Sequence, residues 1–149
     1  MARFEGEVRE TFTLPADPEQ ARDHFADLET IAKHYGALES YEVIDDTTIR
    51  FVLEKQAQKG VSYQGIYTCR YTKVGDDRLE WSTVASDNMW STGNARFVAQ
   101  GDRTRVEYFQ RIETEMPVPR LLGKVVKPIV GKLIADGVRS YLDRMKRAL

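Results

Sequence analysis

The sequence predicts an α+β fold: a curved antiparallel sheet of about seven strands, two short helices after the first strand, and one long helix at the C-terminus. Three observations carry this. A strand-like N-terminal segment runs into helices with clear start and stop signals. From Leu38 to Met116, segments rich in Tyr, Val, Thr, Ile and Phe alternate between turn signals, and beyond the prolines of MPVPR the periodicity is helical to the end. A sheet of this kind buries one face under its helices and leaves the other wet, and a single long terminal helix closes the concave side.

Phe4, Val8, Phe12 and Leu14 occupy one period-2 frame and Glu5, Glu7, Arg9 and Thr11 the other, giving a strand with one wet face. In ADPEQARDHFADL, Asp17 suits the N-cap, Pro18 the first helical position and Gln20 the reciprocal capping position. A second short helix, LETIAKHY, sets Leu28, Ile31, Ala32 and Tyr35 on one side and stops at Gly36. The signals DDTT, QKG, VGDDR, ASDN and QGDR then divide six strands joined as hairpins. In the clearest, VSYQGIYTCRYTKV read as one strand, Val61, Tyr63, Tyr67, Cys69 and Tyr71 share a frame against Ser62, Gln64, Thr68 and Arg70. ASDNMWSTGN reads as a turn that exposes Met89 and Trp90 unless something covers them.

In the terminal helix, Val126, Val130, Leu133, Ile134, Val138, Tyr141 and Met145 form one apolar stripe. Upstream the phase changes: Leu121, Leu122, Val125 and Ile129 point elsewhere, with Arg120, Lys124 and Lys127 opposite them. Pro128 marks the junction, and a kink there would let each half bury its own stripe.

The 149 residues, 42% apolar and 30% charged, predict one domain spanning 1–149. A net charge of −1 gives no reason to expect nucleic acid, although residues 120–149 hold eight Lys/Arg against two Asp. One cysteine, Cys69, precludes an internal disulfide and fits a reducing, cytoplasmic setting. MARFEGEVRETF lacks the apolar core of a signal peptide, so no exported form is expected. The lysines at 124, 127 and 132 leave no uncharged run of about 20 residues to span a bilayer.

The element order, with DPEQARDHFADLETIAKHYG after the first strand and KLIADGVRSYLDRMKRAL at the end, resembles the START-like (SRPBCC) superfamily, whose helix-grip members include birch-pollen-allergen relatives, lipid-transfer domains, coenzyme-Q-binding proteins and polyketide cyclase/dehydrase-like proteins. The resemblance covers the whole chain and lies in pattern more than in any single motif. It implies a sheet wrapped around the long helix and a cavity for an apolar ligand; members bind, transfer and catalyse on one scaffold.

Few motifs of catalysis are present. His24 and His34 lack a ligand-pair spacing and a Cys/His cluster, so no metal is expected. The glycines form no phosphate cradle, so no cofactor is expected. Cys69, mid-strand in an apolar frame, reads as a small buried hydrophobe. His34, just before Gly36, is either a surface histidine at a helix C-terminus or a polar group at a pocket mouth.

Two polar residues interrupt inward frames: Glu10 in the first strand and Gln110 among Val106, Tyr108 and Ile112. Burying such a group unpartnered costs about 2–7 kcal/mol, so they meet each other, water or a ligand unless a bulge turns one outward. The superfamily places first and last strands side by side, which would bring Glu10 and Gln110 to one patch of cavity wall. Phe51, Tyr63, Tyr67, Tyr71, Trp81, Phe97 and Tyr108 fall in the apolar frames. As a set they favour a lined pocket over a solid core, because four tyrosine hydroxyls are hard to satisfy in a core.

The leading expectation is a protein that binds or transfers a hydrophobic or amphipathic small molecule such as a lipid, quinone or polyketide-like compound. Glu10 and Gln110 would orient it; the aromatic set and Val126, Val130, Leu133 and Ile134 would line the cavity. His34, Trp90, Leu121, Leu122, Val125 and Pro128 would form the entrance, and Arg120, Lys124 and Lys127 would allow transient contact with an anionic membrane surface. Two alternatives stand beside it: a cyclase/dehydrase-type enzyme with Glu10 as general base, and a protein-interaction module with a solid core. Either a monomer or a homodimer paired through a sheet edge is compatible with the sequence.

Overall fold

The computed structural model describes residues 1–58 and 61–149. Strand β1 (Ala2–Leu14) buries Phe4, Val8 and Leu14 and turns its charged frame outward. It leads into α1 (Pro18–Ala26), where the Gln20 N–H donates to Asp17 Oδ1 at 2.8 Å. One residue, Asp27, closes α1 and caps α2 (Leu28–Tyr35), accepting from the Thr30 N–H at 3.0 Å. Its carboxylate supplies an acceptor to one of the orphan N–H groups of a new helix.

Strands β2 (Leu38–Val43), β3 (Thr48–Leu53), β4 (Gln56–Gln58), β5 (Val61–Tyr63), β6 (Ile66–Val74), β7 (Arg78–Ser86), β8 (Met89–Gln100) and β9 (Arg103–Met116) follow, and helix α3 (Arg120–Arg147) ends the chain. Seven strands make one antiparallel sheet in the order β1-β9-β8-β7-β6-β3-β2, and β4 pairs with β5 alone. This is the α+β, helix-grip-like architecture expected, with α3 as the long helix.

Two local expectations are corrected. VSYQGIYTCRYTKV is not one strand: it divides at Gln64 and Gly65 into β5 and β6. Gly65 sits where a Cβ would lie 2.9 Å from Met89 Sδ, and Asn88 bridges the break, its amide donating to the Gln64 carbonyl at 2.7 Å and its Oδ1 accepting from the Ile66 N–H at 3.0 Å. The QKG turn signal falls partly on Lys59 and Gly60, outside the described residues. ASDNMWSTGN is not a long turn either, since only Asp87 and Asn88 turn and β8 begins at Met89.

Helix α3 lies along β1, and glycines set the spacing. A Cβ on Gly6 would fall 2.7 Å from the Gly131 carbonyl and 2.8 Å from Ile134, and one on Gly131 would fall 3.0 Å from the Glu5 carbonyl. Further along, Gly123 faces Ala2 and Lys146 faces Glu10, so helix and strand advance in the same direction. The second half of α3 enters the core through Val138, Leu142 and Met145. The first half buries only Gly123. Leu121, Leu122, Val125 and Ile129 are 55–85% exposed, against the expectation that each half would bury its own stripe. β1, already paired with β9 and pressed close to the helix by its glycines, offers surface to one side of α3 only.

No helix among the described residues is long and apolar enough to cross a membrane.

Candidate functional site

A cavity of about 280 Å³ opens between the concave face of the sheet, the end of α2 and the middle of α3. Six of the seven tyrosines border it: Tyr35 from α2, Tyr63 from β5, Tyr67 and Tyr71 from β6, Tyr108 from β9 and Tyr141 from α3. Apolar surface comes from residues such as Ile31, Leu53, Met89, Ile112 and Val138, and Leu133 and Ile134 contribute from the middle of α3. Among the described lining residues there is no Asp, Glu, Lys, Arg or His.

Strand alternation explains the tyrosines of the sheet. Tyr67 and Tyr71 share the inward frame of β6, and a bulge between Thr68 and Cys69 lets the strand curve around the helix. Tyr108 and Gln110 share the inward frame of β9. Tyr35 is placed by the end of α2, which α3 holds from below: Arg144 Nε donates to the His34 carbonyl at 2.8 Å, and its terminal nitrogen donates to the Tyr35 carbonyl at 2.9 Å. The guanidinium thus satisfies carbonyls that a helix C-terminus leaves open. Gly36 turns there with φ 76°, and a Cβ at that residue would lie 2.7 Å from the same guanidinium.

The hydroxyls form short chains. Tyr35 and Tyr67 share a hydrogen bond at 2.6 Å, and Phe51 packs behind both rings at 4.7 and 5.2 Å. Tyr108 donates to Gln110 Oε1 at 2.6 Å, and the Gln110 amide donates to Ser91 Oγ at 3.1 Å. Tyr63 bonds Thr114. Desolvation by burial pushes the Tyr35, Tyr67, Tyr71, Tyr108 and Tyr141 hydroxyls well above the usual phenol range, so they stay protonated donors. The same cause pushes the Cys69 thiol up to about 12, leaving it no thiolate character near neutrality.

The residues singled out from the sequence part into groups. Tyr63, Tyr67, Tyr71, Tyr108, Gln110, Leu133 and Ile134 stand on the cavity wall. Phe51, Phe97 and Trp81 do not: Phe51 backs the tyrosines, Phe97 packs against Phe25 of α1 at 6.1 Å, and Trp81 lies behind Tyr71 and Tyr108. Val126 and Val130 are half-buried upstream of the cavity.

Glu10 lies in the inward frame but does not meet Gln110. Lys146 of α3 reaches it at 2.6 Å and rests over the Phe12 ring at 4.5 Å, and neither residue of this partly exposed pair is on the described cavity wall. Of the entrance set, Trp90 lies on the outer face of β8, one residue out of phase with Met89, under the Arg3 guanidinium at 4.2 Å. His34 turns back on its own helix, donating from Nδ1 to the Thr30 carbonyl at 2.8 Å. Leu121, Leu122, Val125 and Pro128 are exposed on α3 upstream of the cavity, and Leu133 brings the same exposed side of the helix to the cavity rim.

Tyr35 and Tyr141 are the two wall tyrosines that the sequence does not single out as cavity residues. Each sits in a helical apolar stripe, where its hydroxyl is the one available signal. A second depression, about 480 Å³ and larger, lies on the outer face of β6 to β9 among Arg70, Thr72, Glu80 and Asn94. It is a shallow sheet surface without convergent buried groups. Among the described residues no group of His, Cys, Asp and Glu is placed to hold a metal ion.

Residues 5–149 match a family model described as polyketide cyclase/dehydrase and lipid transport. No curated protein sequence matches the chain. Among solved structures, the protein TTHA0849 of Thermus thermophilus is similar at 24% identity, covering 95% of this chain and 94% of that one, with a TM-score of 0.72. A START superfamily protein of Mycobacterium smegmatis is similar at 16% identity over 95% and 97% of the two chains, with a TM-score of 0.64. The ZhuI aromatase/cyclase of a Streptomyces species is similar at 10% identity over 97% and 93%, with a TM-score of 0.68. These likenesses establish a shared fold.

Proposed function

Because the chain belongs to the polyketide cyclase/dehydrase and lipid-transport family, we propose that it binds or transfers a hydrophobic or amphipathic small molecule held between the sheet and α3. The observation that carries this is the concentration of six of seven tyrosines around one apolar cavity of about 280 Å³. A core built only for stability gains nothing from so many hydroxyls, each of which costs about 1–3 kcal/mol if left unpaired. Mass spectrometry of small molecules released from natively purified protein tests the reading. The expected result is a stoichiometric apolar compound; a protein that carries none and excludes lipid, quinone and aromatic probes overturns it.

Catalysis is the weaker reading on chemical grounds. Glu10, the candidate base, is paired with Lys146 and does not line the cavity, and the described wall of protonated tyrosines supplies donors without a proton acceptor of carboxylate or imidazole type. The buried, unpaired thiol of Cys69 suits the cytoplasm.

Ligand exchange at an anionic membrane surface is favoured by a separate observation. Leu121, Leu122, Val125, Ile129 and Leu133 make an exposed apolar line on α3, and Leu133 is also part of the cavity rim. Between Glu115 and Asp136 the chain carries Arg120, Lys124, Lys127 and Lys132 and no acidic residue. An isologous dimer through this line would set those cations against their own copies, whereas an anionic bilayer complements them and takes up the leucines. Cosedimentation with vesicles containing phosphatidylglycerol is expected for the wild type and lost for Leu121→Asp and Val125→Asp. Binding to vesicles unchanged by both substitutions overturns the assignment.

A further inference from the structure

A ligand in the cavity meets a wall whose polar atoms are mostly hydroxyls, and the hydrogens on those hydroxyls can be counted. Tyr108 directs its hydrogen to Gln110 Oε1, and the Gln110 amide is turned to Ser91. Tyr63 and Thr114 bond each other, and Thr114 reaches the Asn88 carbonyl at 3.4 Å. In the Tyr35–Tyr67 pair at 2.6 Å only one of two hydrogens is used, because whichever hydroxyl accepts keeps its own. Tyr141 has no hydrogen-bond partner among the described residues and lines the same cavity as Tyr35 and Tyr67. Two unused O–H donors therefore border the cavity, one from the Tyr35–Tyr67 pair and one from α3, and the Tyr71 hydroxyl on β6, which has no oxygen or nitrogen partner among the described residues, borders it as well. A further donor, the Trp81 indole N–H, is buried behind Tyr71 and Tyr108 and also lacks a partner among the described residues.

Charge is excluded from the same wall. The nearby cations are committed elsewhere: Arg144 to the carbonyls of His34 and Tyr35, Lys146 to Glu10. A carboxylate or phosphate entering the cavity would lose its hydration with no cation on the described wall to pair with it, and an ammonium would find no carboxylate there. A neutral oxygen acceptor loses far less on entry and meets hydroxyl donors on the cavity wall.

We propose that the cavity selects an uncharged, compact apolar molecule bearing a carbonyl-type oxygen, a ketone or quinone in preference to a fatty acid or phosphate ester, and that the hydroxyls of the Tyr35–Tyr67 pair and Tyr141 receive that oxygen. This rests on the ligand-binding reading above and adds what the ligand presents to the wall.

Calorimetric titration near neutral pH with acetylnaphthalene, naphthoate and ethylnaphthalene, substituted at the same ring position, separates the two claims. The ketone is expected to bind roughly tenfold or more tightly than the carboxylate, and several-fold more tightly than the hydrocarbon. Tyr141→Phe, and Tyr35→Phe combined with Tyr67→Phe, should each erode the advantage of ketone over hydrocarbon while leaving the hydrocarbon affinity in place, which also shows that the variants fold. Naphthoate binding as tightly as the ketone, or a ketone advantage untouched in both variants, overturns the inference and leaves ligand binding standing. Failure of all three probes to bind overturns the ligand-binding reading and this inference with it.

Discussion

The two halves of α3 are made of similar residues and used in opposite ways. From Val138 onward, apolar side chains enter the core, Arg144 closes α2 and Lys146 pairs with Glu10. Upstream, Leu121, Leu122, Val125 and Ile129 face outward, and glycines set the close approach of the helix to β1. Hydrophobicity in the second half serves folding. In the first half it does not, so selection for stability does not account for Leu121 or Val125.

High pH should break the buried half most severely. The folded state raises the pKa of all six cavity tyrosines, Tyr141 among them, above the ordinary phenol value. Their contribution is fully present below a pH of about 10, and it is lost as pH climbs because the unfolded chain then releases protons the folded one retains. Each such hydroxyl adds a slope of up to about 1.4 kcal/mol per pH unit. Urea midpoints should stay level through neutrality and fall steeply beyond pH about 10; a level curve there would mean that the hydroxyls are solvated.

Leu142→Ala, in the buried half, should cost about 2–5 kcal/mol, whereas Leu122→Ala on the exposed line should stay within about 0.5 kcal/mol. Equal losses in chemical denaturation would dissolve the contrast between the halves. Gly6→Ala tests the seam that both halves share: its Cβ would fall 2.7 Å from a carbonyl, and overpacking of this order costs about 1–3 kcal/mol. Arg144→Met, which keeps the aliphatic stem and removes the donors to two carbonyls, should cost about 1–2 kcal/mol. It should also release the end of α2, read as faster amide exchange at His34 to Ala37. Smallest is Glu10→Gln: the pair with Lys146 is partly exposed, and less than about 1 kcal/mol is expected once solvent screening is allowed for.

Much of this arrangement is legible in the sequence because it is written in local signals. Asp17-Pro18, Gly36 and the turn signals place the element order, and alternation places Tyr67, Tyr71 and Tyr108 on the inner face. What fails to read out depends on partners far along the chain. Glu10 is correctly framed, but its partner is 136 residues away in a helix whose charged face reads as wet. Trp90 is misplaced by its sequence context because ASDN resembles a longer turn than it makes; one residue of phase then separates Met89 on the cavity from Trp90 on the outer face. The buried stripe of α3 is rotated toward Leu142 and away from Leu133, since the position of β1 decides which side of a broadly apolar helix is covered. Only that rotation makes Tyr141 recognisable as part of a wall.

Asp27, the single residue between α1 and α2, has a further consequence. A joint of one residue has no slack, so the length of the chain before it fixes the azimuth of everything after it. Inserting one residue there would turn α2 by about 100°, carrying the Tyr35 hydroxyl away from Tyr67. Relatives of this chain should therefore tolerate substitutions at that joint more readily than changes in its length, and an engineer altering the cavity has freedom of composition there but none of spacing.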